Sequence, residues 1–165
     1  MTIYHIVTVN DLKNHTRDNY YKPADFDKNG FIHCTAGKDT TLLVLEDYFV
    51  EISRSNEIVI LEIDESKIKS EVKYEPPALI QGGGTRHAKE AALFPHIYGC
   101  LNIDAITGVG TVRRVDNKFV WPVDFAEMEM FCSPLNGCFS SGISKRKKES
   151  DHESVGHQWK PESGR

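Results

Sequence analysis

The sequence has no C-x-x-C pair among its four cysteines, Cys34, Cys100, Cys132 and Cys138, and the Cys132/Cys138 spacing fits no zinc template well. They read as reduced thiols of a cytoplasmic protein, not as a disulfide framework. No apolar stretch approaches the ~18 residues of a membrane-spanning helix, so no membrane partner is expected. The start, Met1-Thr2-Ile3-Tyr4-His5, has no basic segment ahead of a long apolar run, and no secretory leader is expected. The glycosylation-like triplet Asn14-His15-Thr16 would then go unused. Positive charge is not in excess: a net charge of −4 and a pI of about 6.0 leave no broad basic field for nucleic acid. A P-loop is missing too, because Gly82-Gly83-Gly84-Thr85-Arg86 lacks the Gly-Lys-Ser/Thr ending. No internal repeat is visible.

What remains is a chain of 165 residues, of which 39% are hydrophobic, enough for one domain with its own core. The apolar residues are unevenly spread. Residues 1–130 read as a single domain, and residues 131–165 as a disordered polar tail that includes the basic run Lys145-Arg146-Lys147-Lys148.

Within the domain, Ile3 to Thr8 is rich in β-branched residues and predicts a first strand. Alternation puts Ile3, His5 and Val7 on one face and Tyr4, Ile6 and Thr8 on the other. Thr8 or Asn10 caps a short helix reaching about His15. Asn19 to Pro23 is expected to be loop, and Asp27-Lys28-Asn29-Gly30 a turn. Phe31 to Cys34 predicts a second strand, after which Thr35 caps a helix over Lys38–Glu51. Leu42, Leu45, Tyr48 and Phe49, with Leu43 and Val44 beside them, give that helix a broad buried stripe. Glu57 to Ile63 is nearly continuous apolar sequence and predicts a central strand. Further strands are expected at Val72–Glu75, Phe94–Gly99, Ile103–Thr107, Thr111–Val115 and Phe119–Val123, the last at an edge because of Pro122. Strands outnumber helices and do not alternate with them. The expectation is therefore an α+β fold with a mixed, largely antiparallel sheet and a few helices.

Three histidines sit inside apolar segments: His5 in Ile3-Tyr4-His5-Ile6, His33 in Gly30-Phe31-Ile32-His33-Cys34-Thr35, and His96 in Phe94-Pro95-His96-Ile97-Tyr98-Gly99. Each alone is most simply a structural histidine bonded to a backbone carbonyl. Together, with aromatic residues beside each, they suit a cleft lined by a few placed polar groups. Two chemistries fit such a cleft. One is a three-histidine metal site, although no His-x-His or His-x-x-x-His clip seeds it. The other is a nucleotide pocket in which imidazoles bond sugar or phosphate while aromatic rings stack on bases. A Cys34–His33 nucleophile pair is disfavoured, because adjacent strand residues point to opposite faces.

The segments Tyr4-His5, Gly30 to Thr35 and Phe94 to Gly99, in that order, resemble the motifs of a family of small, mostly bacterial domain-of-unknown-function proteins. The resemblance spans roughly residues 2 to 115. That family is grouped with the ADP-ribosyltransferase fold, near the RNA 2′-phosphotransferases. The resemblance implies an ADP-ribosyltransferase-like fold and a small-molecule nucleotide, NAD, bound as substrate, with no metal expected. It implies that Tyr4-His5 is similar to the first-strand motif whose histidine holds a ribose of NAD. Phe31 to Thr35 is similar to the second-strand segment on the nicotinamide side, where Thr35 would hydrogen-bond. His96 belongs to the family's own motif. Glu75, after Tyr74, is the candidate for the late acidic residue near the scissile bond, although it lies earlier than that residue would. Glu127 and Glu129 are alternatives by position. Expected catalytic residues are thus His5, His33, His96 and Glu75, and expected nucleotide contacts are Tyr4, Thr35 and Tyr98; Arg86 is added from the residues themselves, because the Gly82–Arg86 loop could cradle phosphates with its backbone N–H groups while Arg86 pairs with them. The rival expectations are a non-catalytic module that binds or senses a nucleotide or ADP-ribose, and a metal-dependent hydrolase.

Overall fold

The computed structural model describes residues 1–77 and 93–128. The Gly82–Arg86 loop, with Arg86 itself, Glu129 and the tail expected from residue 131 lie outside these residues.

The first strand forms as its composition predicts: β1 is Thr2–Thr8. The Thr8 hydroxyl then accepts the Asp11 N–H at 3.1 Å and caps α1, Val9–Asn14. The chain continues through β2 (Thr16–Arg17), β3 (Tyr20–Tyr21), the short helix α2 (Phe26–Asn29), β4 (Ile32–His33) and α3 (Lys38–Tyr48). It then forms β5 (Ile58–Asp64), β6 (Glu71–Glu75), β7 (Phe94–Tyr98), β8 (Leu101–Asn102), β9 (Ile106–Thr111), β10 (Arg113–Val115) and β11 (Lys118–Val120).

Every strand pair among the described residues is antiparallel. With a few helices this makes an α+β architecture. The strands of the described residues fall into three three-stranded sheets, β1-β5-β9, β4-β7-β6 and β2-β3-β8, and one hairpin, β10-β11. β5 is central in the first and buried on both faces, as its unbroken apolar run requires. Ile3 and Val7 of β1 join Val59, Leu61 and Ile63 of β5 in one core, which also takes in Ile32 and Ile97. Ile6 joins Ile58 and Ile60 in a second core, under Leu45 of α3. The period of two along β1 and β5 thus feeds both cores at once.

Two short bridges tie the sheets to their surroundings. Tyr4 of β1 pairs with Thr35, beyond β4, through N–H···O bonds of 2.9 and 2.8 Å. Val109 of β9 pairs with Ala126 through bonds of 2.8 and 3.0 Å. Gly108 and Gly110 let that segment lie close, since a Cβ on Gly108 would meet Phe125 Cβ at 2.7 Å and one on Gly110 would meet Pro122 Cβ at 2.7 Å.

Several expectations change. Tyr20-Tyr21 is strand and not loop, because Tyr21 pairs with both Thr16 and Leu101. The expected turn before Gly30 is a turn of helix, closed by Gly30 at φ 80°. α3 ends at Tyr48, and its N-cap is Gly37. Thr35 instead bonds Thr41 Oγ1 at 2.6 Å. Leu43 is 40% exposed and lies off the buried stripe. Residues Ile103–Ala105 form a single tight turn, so that strand starts only at Ile106. The last strand stops at Val120, ahead of Pro122. The Asp116-Asn117 turn joins β10 to β11 with φ of 48° and 62°, the left-handed pair a two-residue hairpin needs.

Candidate functional site

Antiparallel register places His33 of β4 directly opposite His96 of β7, and His96 opposite Lys73 of β6. Residues two positions away share that face. Phe31, Tyr98 and Glu75 therefore come to the same side as the two imidazoles. The His33 and His96 ring centroids are 5.5 Å apart, nearly perpendicular. Phe31 stacks on His96 at 4.1 Å and meets His33 at 4.8 Å and Tyr98 at 5.3 Å. The Lys73 ammonium lies 4.4 Å from the Tyr98 ring centre.

Glu75 joins this cluster through one oxygen. Its Oε2 accepts from His96 Nδ1 at 2.8 Å and from the Tyr98 hydroxyl at 2.7 Å. These two bonds hold the Glu75 carboxyl below the usual range. His96 Nδ1 is committed to the carboxylate, and its Nε2 has no hydrogen-bond partner among the described residues. The His96 side chain is 3% exposed and that of Glu75 37%, so the carboxylate meets solvent and the imidazole lies beneath it. Burial pushes His33 down to about 4, helped by His96 and His5, so its ring is neutral at pH 7. The face therefore offers one carboxylate, two imidazoles and two aromatic rings, and among the described residues the cation beside it is Lys73. Such a set accepts hydrogen bonds from hydroxyls and covers a flat ring.

The other expected site residues are spent inside the fold. His5 is 7% exposed, its Nδ1 donates to the His33 carbonyl at 2.6 Å, and its Nε2 is 3.3 Å from the Tyr21 hydroxyl. Burial lowers its pKa, against the pull of the His33 carbonyl and of Asp25 and Asp11. His5 thus stands behind His33, and the three imidazoles do not share one open face. Tyr4, one residue along β1, points into the second core and meets Trp121 edge-on at 5.1 Å. Thr35 is 4% exposed and its hydroxyl is taken by Thr41. Glu127 is exposed and follows Ala126, which bridges to β9 and not to the sheet that carries Glu75. Cys34 is buried, and burial raises its thiol pKa, which removes thiolate character. Among the described residues no three His, Cys, Asp or Glu side chains are grouped to hold a metal ion.

Phe31 is the residue the sequence pointed to without using. It lies two positions before His33, and strand alternation alone puts it on the same face. Tyr21 and Asp11 carried no such signal, because their link to His5 is made only by tertiary packing.

A family model described as "Protein of unknown function (DUF952)" matches residues 6–109. Two solved structures of protein CC0527 from Caulobacter crescentus, one of them a double mutant, are similar to this chain, with TM-scores of 0.53 and 0.52. Each is 18% identical, and the match covers 79% of this chain and 98% of the bacterial one. At that identity the likeness is one of fold. No curated protein matches the chain.

Proposed function

The chain belongs to the family described as protein of unknown function (DUF952), and from that premise we propose that the face around Glu75 binds a nucleotide by its ribose, with NAD as the substrate. The observation that carries this reading is the doubly bonded Glu75 carboxylate beside His96, Tyr98, His33 and Phe31. The motif resemblance to ADP-ribosyltransferases supports NAD over other nucleotides. Glu75 and the neutral His33 bond the ribose hydroxyls, while Phe31 and Tyr98 cover the flat ring. In the transfer reaction an acceptor attacks the ribose carbon that carries nicotinamide. The carbon–nitrogen bond breaks and its electron pair leaves with nicotinamide. Positive charge builds on the ribose ring in the transition state, and the fixed carboxylate of Glu75 stabilises it. The imidazoles hold the ribose in place, which lowers the entropic part of the barrier.

The test is a titration of the histidine ring NMR signals with NAD and, separately, with ADP-ribose, followed by an assay for free nicotinamide. His33 and His96 are expected to shift with one shared Kd. Nicotinamide release is expected from the native chain, with Glu75→Gln losing about 100-fold or more, the size of one removed electrostatic stabiliser. Silence of both histidines towards both ligands overturns the proposal. A second reading has its own support. Glu75 Oε2 already carries two hydrogen bonds, which suits a rigid anchor as well as a reacting group. A shared Kd with no nicotinamide released, from either protein, would identify a module that only binds nucleotide or ADP-ribose.

A further inference from the structure

A line of polar groups runs from the surface to the back of His33, and none of its members touches the face where the nucleotide is placed. His15, near the surface, sits 3.0 Å from Asp11 Oδ1 through its Nδ1. Asp11 Oδ1 also takes the Ala24 N–H at 3.3 Å, and Asp11 Oδ2 accepts the Tyr21 hydroxyl at 2.8 Å. Tyr21 is fully buried, and its oxygen is 3.3 Å from His5 Nε2. His5 Nδ1 closes the line on the His33 carbonyl at 2.6 Å. Four elements contribute: α1, β3, β1 and β4.

The His33 carbonyl needs this donor. On the β7 side β4 has its ladder partner. On the β1 side the backbone pairing begins only at Thr35, with Tyr4. At His33 an imidazole N–H stands in for the missing rung. A buried carbonyl left without a donor is costly, so the orientation of the His33 peptide depends on where His5 is held.

Counting protons shows how His5 is held. The carbonyl has none to give, so Nδ1 carries one and a neutral ring leaves Nε2 bare. Tyr21 has one proton for two neighbours. The carboxylate is closer and charged, and charge-assisted bonds are the stronger, so the proton goes to Asp11. The Tyr21–His5 contact is then one proton short, and the line is set by the Tyr21–Asp11 bond and by packing. We propose that Asp11 and Tyr21 are positioning residues, which through His5 fix the His33 peptide and so the His33 imidazole beside His96. The proposal rests on the reading that His33 faces the nucleotide, but the positioning itself is measurable without any ligand.

The experiment uses the full chain with ¹⁵N-labelled histidine, as native protein, Tyr21→Phe and Asp11→Asn. Ring spectra are recorded first without ligand. The native His5 is expected as the neutral tautomer protonated at Nδ1. In Tyr21→Phe the His5 Nε2 signal is expected to move and the His33 ring signals to broaden or split, with His96 still bonded to Glu75. Affinity for ADP-ribose should fall about tenfold, the size of one lost hydrogen bond. Asp11→Asn keeps the buried ring in place and should produce the same changes, more weakly. A lower Tm in both variants with unchanged His33 signals overturns the proposal and leaves a purely structural network. If His33 responds to the substitutions while neither NAD nor ADP-ribose moves any native histidine, the positioning stands and the nucleotide reading fails.

Discussion

His33 and His5 are both kept neutral by burial, and acid should therefore weaken the fold well before the carboxylates titrate. An exposed histidine of the unfolded chain takes up its proton near ~6.5. Folded His33 does so only at about 4, and His5 is shifted in the same direction. Between those pH values the unfolded chain holds more protons, so stability rises with pH and is lost as pH falls from ~6.5 towards 4. Glu75, whose folded pKa is depressed, also loses its contribution on acidification, but only below its ordinary value of 4.5. The urea midpoint of the native protein should thus decline from pH 7 to pH 5, and His33→Gln should decline less steeply. Parallel curves would show that His33 does not stay neutral in the folded state. At this scale the sequence was informative where a single strand decides the matter. Alternation puts Tyr4 on the face opposite His5, and the structure keeps them apart, Tyr4 against the second core and His5 buried on the other face, although the motif resemblance joins them. The Glu75–His96 bond was hidden, because the two residues lie 21 positions apart.

Among the elements, those built from local signals were legible and those built from pairing were not. The Thr8 cap, the central β5 and the Asp116-Asn117 hairpin turn follow from adjacent residues. Four strands have only two residues each, β2, β3, β4 and β8, and exist because a partner from elsewhere in the chain meets them. Thr35 failed as a helix cap for a related reason: its backbone is taken by Tyr4 and its hydroxyl by Thr41. β9 shows packing overriding strand preference. Replacing Gly110 by valine should help a strand by up to ~1 kcal/mol on intrinsic preference. The new Cβ, however, would sit 2.7 Å from Pro122 Cβ and 2.8 Å from Phe125 Cε1. Overpacking of that kind costs about 1–3 kcal/mol, so Gly110→Val should destabilise on balance. An unchanged or raised urea midpoint would mean that residues 122–125 move aside freely.

For the whole molecule, the excess of strands over helices, without regular alternation, was enough to indicate an antiparallel α+β architecture. The division into separate small sheets was not readable, since it depends on which distant segments close each edge. No helix among the described residues is long and apolar enough to cross a membrane. The β1-β5-β9 sheet has two outer strands, and each is met by another segment: β1 by Thr35 and β9 by Ala126. The outer strand β6 carries exposed Glu71 and Lys73, charges that discourage pairing with another chain. Ala126→Pro removes the N–H that bonds the Val109 carbonyl, and it should make the protein self-associate on concentration, seen by light scattering. Scattering equal to that of the native chain would show that the bridge is not what keeps copies apart. The position of Ala126 also sets a timing: during synthesis β9 emerges before the residue that covers it, so the outer edge of this strand stays open until residue 126 is out.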